Sequence, residues 1–506
     1  MKNTYKMPKI GVISVTDAPR EQGLVEEREQ YINKAHRELI GYLQNNDIDA
    51  VDVSQKIERP NPGWVAIHSY KSARECIKVM VEEDIEALVI GCWHWCEPML
   101  IVALVREFNK PVLLYSDGNP AWAGVTLISA AGASLWQNAS NPYAITHKRV
   151  YAERAEIVRW AKGVTAIEKL KRSTLILWGG SYALKMEYLQ DDYSRLKSFL
   201  VGDIINEDQY MLVKYSENIP KSRLDNFAKW LKDNKTIIKY DEEMLTEEIF
   251  NKQIALYLAA KDRMGEYDDV AGVSVKCFTE LSDTFGADPC FLPSFLPYFE
   301  DAEGIKEVMS CVCEGDIKAL ICSCLLNFIS GGMPALFGDI LFMGKDYFVM
   351  GNCGGSSIYY SCCSRNTKEV LKRLTIAQNF EGRGGAVSYD TQKDNKMTVM
   401  RLLKIKDEYV VLLGLMDTID VTDTMRCKTS FFRNWPLTAF KFNVDRGLLV
   451  DALGANHLIA VPGDFTGELT YSCNVAGIKV FRIDNNYDIK NWINYAINKA
   501  NDRRYY

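Results

Sequence analysis

The chain has 506 residues, a formal net charge of −6, 47% hydrophobic and 25% charged residues. This length predicts two to four domains, and the ordinary apolar fraction predicts large buried cores. The mildly acidic balance, with no dense Lys/Arg run, argues against a nucleic-acid partner. The polar start Met1 to Lys9 and the short apolar run Ile10 to Val15 form neither an export signal nor a membrane span, so a cytoplasmic protein is expected.

Taken in chain order, the first third alternates strands and helices. Lys9 to Val15 reads as a strand, Leu24 to Asn45 as an amphipathic helix, and Ala50 to Val53 as a second strand. Helix Ser72 to Glu83, strand Ala87 to Cys92, helix Met99 to Phe108, strand Pro111 to Ser116 and helix Gly124 to Trp136 follow. The pattern restarts at the strand Ser173 to Trp178, which ends in Gly179-Gly180-Ser181. Helices are expected over Glu187 to Leu200 and Leu245 to Lys261, and a strand over Val273 to Cys277. Beyond about residue 350, Thr398 to Ile405 and Tyr409 to Leu413 read as a hairpin, His457 to Ile483 as a β/α/β piece, and Lys490 to Tyr506 as a helix. The fold class expected is α/β: two Rossmann-like doubly wound α/β domains (1–170 and 171–350) followed by a β-rich C-terminal domain (351–506).

Three residues are candidates for chemistry. Glu314, in Cys313-Glu314-Gly315-Asp316, ends a short strand, and Asp316 is placed to cap the next helix. That helix stops at Gly331-Gly332-Met333-Pro334, and the strand Ala335 to Asp339 ends in a second carboxylate. A right-handed crossover would put both acids at the carboxyl edge of one parallel sheet, where α/β proteins place their sites. If the strands are adjacent, about 4.8 Å separates them. The acids then bind a hard cation or share acid/base work, or else are simply solvated strand ends. His457, in Gly454-Ala455-Asn456-His457, precedes an apolar strand and is either a core histidine or a third ligand. Two carboxylates and a histidine suit Mn²⁺ or Mg²⁺. The fourteen cysteines include the close pairs Cys311/Cys313, Cys322/Cys324 and Cys362/Cys363. None has zinc-knuckle spacing, so they are expected to act as small buried hydrophobes.

The ordered set Cys313-Glu314-Gly315-Asp316, Gly331 through Asp339 and Gly454-Ala455-Asn456-His457 resembles the L-fucose isomerase family. Gly91-Cys92-Trp93-His94-Trp95, Gly118-Asn119, Ala123-Gly124-Val125, Asp17-Ala18-Pro19-Arg20 and Gly179-Gly180-Ser181 extend the resemblance over most of the chain. It implies a metal-dependent aldose–ketose isomerase working through an enediol. Glu314, Asp339 and His457 would hold one divalent cation, Mn²⁺ or a relative such as Mg²⁺, and the two carboxylates would move the proton. It also implies a homo-oligomer, a hexamer in the family, in which Arg20 and Trp93 reach a neighbouring subunit's pocket.

Around that site, Trp435 is either a platform for a sugar face or a core residue, and Asn456 is placed to hydrogen-bond substrate. Gly354-Gly355-Ser356-Ser357 reads as a flexible loop lining the pocket. Relatives tend to carry Gln at the position of Lys276, so Lys276 either adds positive charge beside the sugar or pairs with an acid such as Glu280. The substrate is expected to be a small L-fucose- or D-arabinose-like sugar. The alternatives are an anionic sugar such as a sulfosugar, and a sugar-binding protein without catalysis.

Overall fold

Residues 7–18, 25–58, 63–379, 382–393, 395–429 and 433–501 are described in the computed structural model. The chain divides into two compact units, Met1–Lys169 with Gly467–Gly477, and Leu170–Thr466 with Ile478–Tyr506.

The first unit is built on a five-stranded sheet in the order Asp49–Asp52, Lys9–Ser14, Ala87–Gly91, Val112–Ser116, Lys148–Tyr151. Every pairing in it is parallel, in the order of a doubly wound unit. The central strands are apolar throughout because helices cover both faces: Ala87–Gly91 and Val112–Ser116 are buried at every residue. The crossover helices start and stop close to their expected limits, at Val25–Gln44, Tyr70–Glu82, Pro98–Phe108 and Gly124–Asn138. The helix Thr466–Val475 also belongs to this unit over most of its length. Its Ser472 hydroxyl donates to the Gly163 carbonyl at 2.7 Å. A Cβ at Gly163 would stand 2.2 Å from the Glu468 carbonyl oxygen, so only glycine permits that approach.

The second unit contains two sheets of different kinds. One is parallel and four-stranded, in the order Ser310–Cys313, Val270–Val275, Thr174–Trp178, Asp203–Glu207. The other has seven strands, in the order Lys396–Ile405, His457–Pro462, Leu336–Met343, Tyr347–Gly351, Leu437–Lys441, Glu408–Ile419, Lys479–Arg482. An extra pairing of Lys396–Ile405 with Glu408–Ile419 closes this sheet on itself. The expected hairpin is that closing pair, with Ile405 opposite Glu408. The α/β class with a β-rich C-terminal sheet is therefore as expected.

Two differences bear on the site. The strands ending in Glu314 and carrying Asp339 are not neighbours in one parallel sheet. Ser310–Cys313 lies at the edge of the parallel sheet, whereas Leu336–Met343 pairs antiparallel with Tyr347–Gly351 and His457–Pro462. The helix Ile317–Ile329 between them is buried at every residue and packs against strands of both sheets. A helix so largely apolar needs cover all round, and two sheets supply it. Glu187 to Leu200 is not one continuous helix either. A single turn, Glu187–Leu189, is followed by the helix Tyr193–Phe199, which Asp192 begins by accepting the Arg195 N–H at 3.1 Å.

Candidate active site

Glu314 sits just beyond Ser310–Cys313 with φ 62, in the left-handed region. A non-glycine residue there costs roughly 1–2 kcal/mol, which the surrounding packing must offset. Gly315 follows with φ 71, and a Cβ on it would lie 2.1 Å from the Gly180 carbonyl oxygen. The turn is thus pressed against Gly180-Ser181 and needs its glycine.

Asp316 caps the buried helix by accepting the Ala319 N–H at 3.0 Å. The same carboxylate accepts His457 Nδ1 at 2.8 Å and both terminal nitrogens of Arg401, at 2.7 and 3.2 Å. Arg401 and Asp316 are both fully buried. Burial opposes the charge on Asp316, but the Arg401 guanidinium and His457 outweigh it and hold the carboxyl well below the usual range.

Asp339 and His457 face each other as partners in the antiparallel ladder. With Nδ1 engaged by Asp316, His457 turns Nε2 towards Glu314 Oε2 at 3.2 Å and Asp339 Oδ1 at 3.5 Å. Asn456 donates to Asp339 Oδ1 and in turn accepts the Tyr188 hydroxyl. The Phe337 ring lies 4.7 Å from the imidazole and shields it.

Burial pushes the Glu314 carboxyl up to about 7, and burial likewise raises Asp339. Burial disfavours charge on His457, yet the Asp316 hydrogen bond and the nearby Glu314 and Asp339 carboxylates raise it to about 10. The pocket therefore attracts positive charge at one point. Glu314 Oε2 and His457 Nε2 are buried there without a hydrogen-bond partner. Donors at right angles on an ion with bonds of about 2.1–2.3 Å would lie about 3.0–3.3 Å apart, close to the spacings found. Glu314, Asp339 and His457, whose ligand atoms all lie within 4.8 Å of one another, could hold a metal ion. Two oxygens and one imidazole nitrogen suit a divalent cation of the Mn²⁺ or Mg²⁺ kind.

No protein-family model matches the chain. One curated relative does. A sulfoquinovose isomerase from Alkalicoccus urumqiensis is 19% identical over 349 residues, 66% of this chain and 73% of the relative.

The other expected site residues are scattered. Asn456 lies at the centre, on Asp339. Lys276 follows the strand next to Ser310–Cys313, so it shares the sheet edge with Glu314, and its ammonium is paired with Glu280 at 2.5 Å. Trp435 is 4% exposed and donates its indole N–H to Asn379 Oδ1 at 3.2 Å. Trp93 is fully buried in the first unit, its N–H on Ser14 Oγ at 2.7 Å. Arg20 lies outside the described residues. Gly354-Gly355-Ser356-Ser357 is not a flexible loop: all four residues are buried, with Ser356 donating to the Phe337 carbonyl and Ser357 to the Pro297 carbonyl. Sequence reasoning missed Tyr188 and Arg401. The available signal was Arg401 itself, a lone charge inside the apolar run Thr398 to Leu403, which burial obliges to find an acid.

Proposed function

We propose that this protein is a metal-dependent aldose–ketose isomerase. The observation that carries the reading is the convergence of Glu314 Oε2, Asp339 Oδ1 and His457 Nε2, two of them buried without a hydrogen bond, and the likeness to a sugar isomerase supports it. Glu314, Asp339 and His457 are the ligands in this reading, and Mn²⁺ the preferred ion. A bound divalent cation supplies Lewis acidity for the oxygens of an enediolate.

The chain's own groups do the rest. Glu314 and Asp339 transfer the proton between C2 and C1 of the sugar, one removing it and that group or its partner returning it. A carboxyl lifted to about 7 by burial is a competent base near neutral pH. Asn456 holds Asp339 and offers an amide to the substrate. Asp316 and Arg401 fix the tautomer and direction of His457.

We take a neutral, L-fucose- or D-arabinose-like sugar as substrate, because the ammonium of Lys276 is engaged by Glu280. A homo-oligomer, with a hexamer as its form, and Arg20 offered to a neighbouring pocket complete the proposal. The test is a ketose assay of the Mn²⁺-loaded protein against L-fucose, D-arabinose and a sulfosugar, with elemental analysis of the purified protein. Isomerisation of a neutral aldose is expected. No ketose from any aldose in the presence of Mn²⁺, Mg²⁺ or Co²⁺ would overturn the reading, and turnover of the sulfosugar alone would replace the substrate.

A further inference from the structure

Four cysteines from four separate segments gather behind Glu314. Cys277 follows Val270–Val275, Cys290 precedes Phe291–Phe295, Cys313 ends Ser310–Cys313 and Cys353 follows Tyr347–Gly351. All four are buried free thiols. The Cys353 thiol interacts with the thiols of the other three. Cys290 also donates to the Cys353 carbonyl at 3.0 Å, and Cys313 contacts Asn352 Oδ1 at 3.5 Å.

The chain is shaped to permit this gathering. Gly354 has φ 75, and a Cβ on it would stand 2.6 Å from Cys290 Sγ, while one on Gly355 would stand 2.1 Å from the Cys290 carbonyl oxygen. Two glycines thus let the segment after Cys353 lie directly on Cys290. None of the close sequence pairs accounts for the cluster, since Cys313 meets Cys277 and Cys353 rather than its sequence neighbour Cys311.

Ligand atoms of Cys313, Glu314 and Cys353 all lie within 4.8 Å of one another. A tetrahedral ion with bonds of about 2.3 Å to sulfur separates two thiolates by about 3.8 Å, so small side-chain rotations close the set. Cys277, whose thiol interacts with those of Cys313 and Cys353, stands ready for the fourth position. The donor chemistry differs from that of the Asp339/His457 side, because thiolates select Zn²⁺ and its heavier relatives whereas carboxylate oxygen favours Mn²⁺ or Mg²⁺. Glu314 belongs to both sets, and its Oε2 is buried without a hydrogen bond.

We propose that Cys313, Cys353 and Glu314 form a second cation site, specific for thiophilic divalent ions such as Zn²⁺ or Cd²⁺, which shares Glu314 with the Asp339/His457 site and disables that site when filled. The ion enters as M²⁺, two thiol protons leave to solvent, and two metal–sulfur bonds form with no change of oxidation state. Glu314 then serves the soft ion and is withdrawn from the hard one. Only this last consequence rests on the isomerase reading.

The experiment is a Cd²⁺ titration of the reduced, metal-free full chain, followed by the thiolate-to-cadmium charge-transfer absorption. The unaltered protein should develop the band with one equivalent of Cd²⁺. Cys353→Ser should lose it, and Cys427→Ser, which alters an exposed thiol, should keep it. Zinc-edge X-ray absorption on the unaltered protein loaded with one equivalent of Zn²⁺ should show at least two sulfur scatterers, a readout that survives even if Cys353→Ser fails to fold. An undiminished band in a folded Cys353→Ser protein, or a zinc shell of only oxygen and nitrogen, would overturn the site. In the isomerase assay, Cd²⁺ should inhibit the Mn²⁺ enzyme, and Cys353→Ser should raise the inhibitory concentration at least about tenfold, the least expected from losing a direct ligand. An unshifted inhibitory concentration would overturn the shared-ligand switch. The sulfur shell and the band without turnover of any aldose would keep the second site and remove only the isomerase reading.

Discussion

Two buried histidines, one in each unit, are tuned in opposite directions. In the first unit, His94 Nε2 meets the Thr16 hydroxyl at 2.9 Å, and Thr16 in turn donates to Glu29. Burial, together with the nearby Arg28 charge, pushes His94 down to about 4. In the second unit, His457 is more deeply enclosed, yet three carboxylates face it and it rises to about 10. Burial acts the same way on both rings. The partners decide the sign: a hydroxyl satisfies a neutral imidazole, whereas clustered carboxylates favour positive charge. The first is a packing residue and the second a candidate ligand.

The largest effect that tests this contrast concerns the acids around His457. Glu314→Gln keeps shape and removes basicity, so turnover with saturating Mn²⁺ should fall about 100- to 10,000-fold, as should that of Asp339→Asn. Near-normal kcat in either variant would leave the carboxylates without their proposed work.

Next in size is the buried pair behind the histidine. Arg401→Met leaves the Asp316 charge enclosed and short of its guanidinium partner, and should lower unfolding stability by about 3–5 kcal/mol in a denaturant titration. A loss below about 1 kcal/mol, the scale of an exposed pair, would show that the pair is not enclosed in solution.

The pH dependence of stability in metal-free protein should separate the two rings. His94 is depressed below its unfolded value of 6.5, so its contribution is intact above that pH and is lost as pH falls towards about 4, by an amount on the order of 3 kcal/mol. His457 is raised, so its contribution is intact below pH 6.5 and is lost as pH rises towards about 10. Denaturation midpoints against pH should show His94→Gln flattening the acid limb and His457→Gln the alkaline limb. Equal changes of both limbs in both variants would erase the contrast.

A smaller effect is expected on the ion itself. His457→Ala should weaken Mn²⁺ binding at least about ten- to a hundredfold, with activity partly restored by excess Mn²⁺; His94→Gln should leave the affinity where it was. The smallest effect concerns Lys276. Because Glu280 already neutralises it, Lys276→Gln should leave the ratio of kcat/KM for acidic and neutral sugars within about twofold, against the ten- to a hundredfold expected of a lysine that reads substrate charge.

Much of the molecule follows from local rules legible along the chain. The apolar runs Ala87 to Cys92 and Pro111 to Ser116 could only be buried strands, and Asp316 and Gly331 mark the two ends of the central helix because a capping carboxylate and a left-handed glycine are strictly local requirements. Glu314, Asp339 and His457 stood out as strand-end or strand-start polar residues beside apolar runs, which is also a local property. How they meet is not local. Asp339 and His457 are ladder partners across a sheet closed by distant strands, and Glu314 joins them from another sheet because one wholly buried helix is shared by both. The cysteine cluster and the Asp316–Arg401 pair likewise unite segments far apart in the chain, and a lone Arg or Cys in an apolar strand carries no trace of its partner's address. Residue type and period fix what each segment must bury; which polar groups then share one enclosed space depends on how the buried faces stack, and that stacking alone distinguishes a histidine satisfied by a hydroxyl, such as His94, from one ringed by carboxylates, such as His457.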